Sequence, residues 1–158
     1  LENFRSAIKW CLENNAETAA VLAVSLRSVW SVNGHIREGQ YWLREILRKT
    51  ASITPKTRWE VLTGLGNLTQ FRGEIESARE IYQRCLDDSR NYDDKKQISQ
   101  SLRGVAAVEY LQHSFESART KILESLEISR SIDDDFGAGA AGANNAAASA
   151  STGRAVAE

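Results

Sequence analysis

Apolar side chains recur at three- and four-residue spacing along most of this chain. Trp59, Leu62, Leu65 and Leu68 form one such stripe, with Thr69 beside it; Ile75, Ala78, Ile81, Tyr82, Cys85 and Leu86 form the next. That period places side chains on one face of an α-helix. It predicts a helix over about 56–72 and a second over about 75–90. Arg72-Gly73-Glu74 separates them, and Gly73 supplies the backbone freedom to end one helix and start the next. The polar stretch Asn91–Lys96 reads as the connection to a following helix. Val, Ile and Thr show almost no alternation, and the single proline is Pro55, so strands have no support.

The pattern then repeats. Leu62-Thr-Gly-Leu-Gly66 and Phe71-Arg-Gly-Glu-Ile-Glu-Ser-Ala-Arg79 return 40 residues later as Leu102-Arg-Gly-Val-Ala106 and Leu111-Gln-His-Ser-Phe-Glu-Ser-Ala-Arg119. Leu86, Ser89 and Arg90 fall on Leu126, Ser129 and Arg130. An earlier unit fits at an offset of 39, with Gly34 on Gly73, Ile36 on Ile75, Gly39 on Ala78, Leu43 on Tyr82 and Leu47 on Leu86. Gly153 lies 40 past His113 and marks a later unit. Gly66 and Ala78 stand where the two helices of a unit cross, as do Ala106 and Ala118. Residues no larger than Ala let helix axes approach to roughly 8–9 Å. In the first unit Gly39 holds one such place, but Arg27 occupies the other. Leu65, Tyr82 and Leu86 fill the space between pairs. One helix pair cannot bury its apolar face alone, whereas stacked pairs can.

The expected fold is all-α, an α-α superhelix of antiparallel helix pairs. A repeat domain is expected over 1–136, with a leading helix at about 2–14 and repeats at about 16–53, 56–95 and 96–135. From Gly137 to Glu158 the composition turns to Ala and Gly. Asn144-Asn145 and Gly153 keep the repeat register, so 137–158 reads as the first helix of a further partial repeat whose large side chains are missing. Ala favours helix, while Gly137, Gly139 and Gly142 oppose it at its start.

Composition narrows the function. Of 158 residues, 42% are hydrophobic and 26% charged, which is the composition of a soluble globular chain. Lys and Arg number 20 against 21 Asp and Glu, for a net charge of −1. That balance gives no electrostatic case for direct nucleic-acid binding or for an anionic membrane. No apolar run approaches the roughly 18–20 residues of a membrane span. The chain opens on an amphipathic pattern rather than a signal peptide, and it contains no Met. It is therefore expected to be a piece of a longer protein. Cys11 and Cys85 lie far apart within helical patterns and read as buried small apolar residues of a reducing, cytoplasmic chain.

Signals for chemistry are weak. His35 and His113 both fall at turns between helices, with no nucleophile pattern beside them. Two His and two Cys scattered over different units do not make a metal site. Gly64-x-Gly66 lacks the preceding strand and the third glycine of a dinucleotide fingerprint, so helix packing accounts for it. Asp87-Asp88 and Asp133-Asp-Asp135 read as solvated charge rather than calcium loops. Trp10, Trp30, Trp42 and Trp59 lie on apolar stripes and read as core. No enzyme activity, cofactor or metal is expected.

Leu62-x2-Leu65-Gly66-x2-Thr69, followed by the small Ala78 and the aromatic Tyr82, resembles the tetratricopeptide repeat. The period here exceeds that family's usual length of about 34 residues, and the excess is assigned to the polar connection after the second helix. Repeats of this longer period resemble the helical arms of bacterial signal-transduction ATPases, among them LuxR-type transcription regulators. The opening Glu2-Asn-Phe-Arg-Ser-Ala-Ile-Lys-Trp-Cys-Leu-Glu-Asn14 and Gly34-His-Ile-Arg-Glu-Gly-Gln-Tyr-Trp-Leu43 are similar to segments of such arms.

The resemblance implies a protein–protein or domain–domain interaction module, the sensor or scaffold arm of a larger regulator. Its partner would be a protein, a peptide or another domain of the parent chain, and its solenoid ends could self-associate. The first helix of each pair would line a partner groove through Ser28, Ser31, Glu60, Thr63, Asn67, Gln70, Phe71, Arg103 and Tyr110. The alternative is a small-ligand (inducer) receptor with a pocket lined by Trp30, Asn67 and Arg103.

Overall fold

The computed structural model describes residues 2–155, with side chains for 2–49 and 51–146. Helices account for its regular structure: α1 (Glu2–Asn14), α2 (Ala16–Ser25), α3 (Arg27–Val32), α4 (Ile36–Arg48), α5 (Pro55–Phe71), α6 (Ile75–Asn91), α7 (Lys95–Leu111), α8 (Phe115–Ser131) and α9 (Asp135–Ala155). A 3-10 turn, Thr50–Ser52, precedes α5. Among the described residues there is no strand. The fold is all-α, and within each of its units helices pack on their neighbours across short turns, in the manner of tetratricopeptide repeats. Of the expected further repeat, 156–158 lie outside the described residues.

Local chemistry fixes the helix starts. Asn15, Thr54 and Asp94 cap α2, α5 and α7, each accepting a hydrogen bond from the backbone N–H three residues on. Such caps satisfy donors that would otherwise be orphaned, at about 1 kcal/mol each. Pro55 opens α5 at a position where its missing N–H costs nothing. Glu17 of α2 adds a second clamp there, accepting from the Thr54 N–H at 2.9 Å and from the Thr57 hydroxyl.

The turns share one geometry. Gly34, Gly73, Asp93, His113 and Asp133 all have positive φ, between 52° and 78°. At each of the last four, the left-handed residue's N–H donates to the carbonyl three residues back. The following N–H reaches five back, as Glu74 does to Thr69 and Asp94 to Ser89. This is the Schellman ending. Helices α5, α6, α7 and α8 each have 17 residues. Three residues then lead to the next helix, so turns fall every 20 residues. The extra length of the repeat therefore sits in the helices and not in the connection after the second one. Asn91 ends α6, Lys95 and Lys96 belong to α7, and only Tyr92-Asp93-Asp94 connects them.

The helices group into two compact units, Leu1–Glu74 and Ile75–Glu158. In the first, α2 is the hub: Ala16, Ala19, Ala20 and Ala23 are buried as it packs against α1, α4 and α5. Small residues admit that close crowding. Ser25 donates its hydroxyl to the Val21 carbonyl, and the helix breaks at the next residue, Leu26. Competition of this kind bends helices. Arg27, the departure from the small-residue rule, lies beyond the break, and its Cδ stands 3.8 Å from the Cβ position of Gly64. On the other side of α2, α1 is tied to α4 by Arg5, which grips Glu38 with two hydrogen bonds of 2.7 and 2.8 Å, and by Lys49 on the Leu12 carbonyl.

In the second unit α7 packs between α6 and α8, and α9 packs on α8. Ala78, Tyr82, Leu86, Ile98, Leu102, Val105 and Val108 form one apolar cluster. Ala106, Ala118, Ile122 and Ala141 form another. At the start of α9 a Cβ on Gly137 would stand 2.2 Å from Asp134 Oδ2 and 2.8 Å from Ser129 Oγ, so those side chains would have to shift to admit one.

The tryptophans divide. Trp30 and Trp59 are buried, at 1% and 3% exposure, and Trp42 is half-buried, edge-on to Tyr41. Trp10 is not core: it is 65% exposed, because α1 buries Ile8 and Cys11 and turns Trp10 away from them.

Candidate functional site

The first helices of the pairs carry the predicted partner residues. On α5 the buried residues are Thr57, Trp59, Val61, Leu62, Gly64, Leu65, Gly66, Leu68 and Thr69. Glu60, Thr63, Asn67 and Gln70 follow one another at three- and four-residue steps, and all four are half-buried. Helical spacing therefore brings them together as one polar strip. Phe71 closes the helix at 70% exposure. On α3, Ser31 is half-buried and Ser28 exposed.

Arg103 and Tyr110 of α7 face inward. Arg103 Nη1 donates to Ser99 Oγ at 3.0 Å and lies 3.5 Å from Ser125 Oγ. Ser99, Ser125 and Ser129 are fully buried, with Ser99 Oγ 2.9 Å from Ser125 Oγ and 2.6 Å from Ser129 Oγ. Burial lowers the pKa of the Arg103 guanidinium, against the opposing pull of Asp134. The group stays charged at any ordinary pH. Tyr110 packs against the Ala106–Ala118–Ile122 cluster, with its ring edge-on to Phe115 at 5.3 Å.

The first unit carries a matching polar junction. Gln40, 1% exposed, donates to Thr69 Oγ1 at 2.9 Å and to Glu74 Oε2 at 3.2 Å; it accepts from Arg72 at 2.7 Å. Arg72 also pairs with Glu74 at 3.0 Å. These networks fix how α4, α5, α7 and α8 sit in their units, since a satisfied buried polar group tolerates little displacement. None of Gln40, Arg72, Glu74, Ser99 or Ser125 stood out in the sequence. The one signal was the recurrence of Ser89 at Ser129, and both serines are fully buried.

The remaining candidates for chemistry are dispersed. His35 and His113 are both exposed at turns, the latter edge-on to Phe115. Among the described residues no three His, Cys, Asp or Glu side chains gather as a metal ion requires. A cavity of about 370 Å3 lies at the α3–α4 turn, lined by Gly34, His35, Ile36, Arg37, Glu38 and Arg72. Trp30 is 1% exposed, and its ring packs so tightly on Gly39 that a Cβ there would stand 2.6 Å from it. Among the described residues no helix is long and apolar enough to cross a membrane.

No curated protein matches the chain. Among solved structures it is similar to the crystal structure of BtubC (BKLC) from P. vanneervenii, with a TM-score of 0.71 at 17% identity, over 83% of this chain and 54% of that one. The chain thus spans about half the length of that protein, and at this identity the likeness is one of fold. Residues 60–131 match the family model described as Tetratricopeptide repeat. Repeats of that family generally mediate protein–protein interaction, and the matched segment holds the polar strip of α5 together with α6, α7 and α8.

Proposed function

We propose that this chain is a protein-binding module, the sensor or scaffold arm of a larger bacterial signalling or transcription regulator. It holds a partner protein, a peptide or a neighbouring domain of its parent and carries out no chemistry of its own. The observation that supports this reading is the strip Glu60–Thr63–Asn67–Gln70, half-buried along α5. Carboxylate, hydroxyl and amide groups at one-turn intervals can hydrogen-bond an extended backbone, and Phe71 at the end of the strip supplies an apolar anchor. Ser28 and Ser31 extend the polar surface within the same unit. Arg103 and Tyr110 serve by holding α7 in place. The regulator context rests on the resemblance of residues 2–14 and 34–43 to the helical arms of such proteins.

The test is retention of partners from cell extract by the wild-type chain and by Asn67→Ala/Gln70→Ala. Loss of a specific retained protein from the double variant, with helix content unchanged, supports the strip. Identical retention removes the strip from the site. A nucleotide-binding loop upstream and a helix-turn-helix downstream in the full-length sequence would establish the regulator context; a parent lacking both would remove it.

A further inference from the structure

Arg27 stands where the repeat keeps a small residue, since Gly66 and Ala106 follow it at steps of 39 and 40 residues. Continued as one helix, α2 would set Arg27 in line with Ala16, Ala20 and Ala23, all of them buried. A guanidinium buried there without a partner would be strongly unfavourable. The break at Leu26 takes Arg27 off that line and starts α3 with it, and α3 packs on α4 and α5. Arg27 ends half-buried, its Cδ 3.8 Å from the Cβ position of Gly64.

Gly64 lies inside the partner strip, with Glu60 one turn before it and Asn67 one turn after. The guanidinium follows directly on Cδ, so its charge lies beside the middle of the strip. Among the described residues Arg27 makes no hydrogen bond and no ion pair. Arg5 and Arg103 are half-buried as well, yet both hold partners, Glu38 and Ser99. Glu60 is likewise in no ion pair among the described residues, so the strip's own carboxylate leaves the arginine unmatched.

A half-buried cation has given up part of its hydration, and an anionic group that reaches it gains correspondingly more. From this we infer that Arg27 selects the partner: the extended protein segment held on the strip carries an aspartate or glutamate, whose carboxylate Arg27 grips. The inference rests on the binding role proposed for the strip. The planar fork of a guanidinium matches the two oxygens of a carboxylate. Ser31, one turn on from Arg27 and half-buried, offers a hydroxyl beside it. One arginine with Glu60 nearby suits a single negative charge better than the near-double charge of a phosphate group.

The test applies the purified chain to an array of short random peptides, then measures the best-bound peptide and a copy with its Asp or Glu changed to Asn or Gln. The wild type is expected to select peptides with Asp or Glu at one fixed position. Arg27→Met keeps the apolar stem over Gly64 and removes the charge. It is expected to weaken the acidic peptide by about tenfold and the amide copy by less than about threefold. Arg27→Lys, which keeps the charge and loses the fork, is expected to fall between wild type and Arg27→Met. Urea unfolding checks that each variant is folded. Selection without an acidic position, or equal weakening of both peptides by Arg27→Met, would overturn this inference and leave the strip standing. No peptide retained by the wild type, or binding untouched by Asn67→Ala/Gln70→Ala, would overturn the strip reading and this inference with it.

Discussion

The Tyr82 ring occupies the space a side chain on Gly104 would need, its Cδ1 lying 2.5 Å from where a Cβ would stand. Helices α6 and α7 thus meet ring against backbone. Helix propensity alone would make Ala the better residue at position 104 by about 1 kcal/mol. Overpacking a filled site costs about 1–3 kcal/mol. Gly104→Ala is therefore expected to destabilise the chain by up to about 2 kcal/mol in urea unfolding. Gly139 and Gly142 meet nothing within 4 Å. Replacing either by Ala is expected to stabilise by about 0.5–1 kcal/mol.

The left-handed turn residues give a second pair of opposite expectations. Gly73 holds φ +78° at no steric cost, whereas Asp93 and Asp133 hold 52° and 53°. A side chain in that region costs about 1 kcal/mol or more. Asp93→Gly and Asp133→Gly are expected to raise the urea midpoint, and Gly73→Ala to lower it. His113→Gly is expected to gain less than Asp93→Gly, since it also gives up the edge-on contact with Phe115, whose ring centroid lies 5.7 Å away.

The clamp of Glu17 on the start of α5 sets a pH dependence in the first unit. Hydrogen bonds from the Thr57 hydroxyl, then the Thr54 backbone N–H, hold the Glu17 pKa below its ordinary value of 4.5. Glu38 is shifted the same way, first by its hydrogen bonds from Arg5. A carboxylate with a lowered folded-state pKa contributes stability that is complete above the unfolded value and is lost as pH falls through the folded one. Glu17→Gln is expected to lower Tm at neutral pH, with the gap to wild type closing as pH drops below 4.5. A gap that stays constant down to acid pH would mean that the charge contributes nothing.

The buried serines give a fourth expectation. Ser99 bonds Ser125, Ser129 and the Arg103 guanidinium at once. Ser99→Val leaves a half-buried cation short of an acceptor and is expected to cost about 2–3 kcal/mol. Ser99→Thr, which keeps the hydroxyl, is expected to cost less. Equal losses in urea unfolding would show that volume matters here and hydrogen bonding does not.

Much of the architecture is legible in the sequence because it is carried by spacing. The stripe from Trp59 to Thr69 and the break at Gly73 place α5 and the start of α6 within a residue or so of where they lie. Reading Asn91–Lys96 as a long connection failed because the turn there uses Asp93, not glycine, in the left-handed conformation, so the chain does not advertise its helix end. Trp10 misled because one-dimensional periodicity does not say which stripe meets a neighbour, and α1 packs through Ile8 and Cys11. The hydrogen-bond partners of Arg103 are not legible in the sequence. Those partners lie as far as 22 residues away on α8, and no local pattern links Ser125 to Arg103.

The most direct test of the binding-module account is photo-crosslinking, in parent cells, from a benzophenone side chain placed at Asn67 and, separately, at Asp87 on the exposed side of α6. The account predicts a discrete crosslinked polypeptide from position 67 and none from position 87. No product from 67, or the same product from both positions, would contradict it.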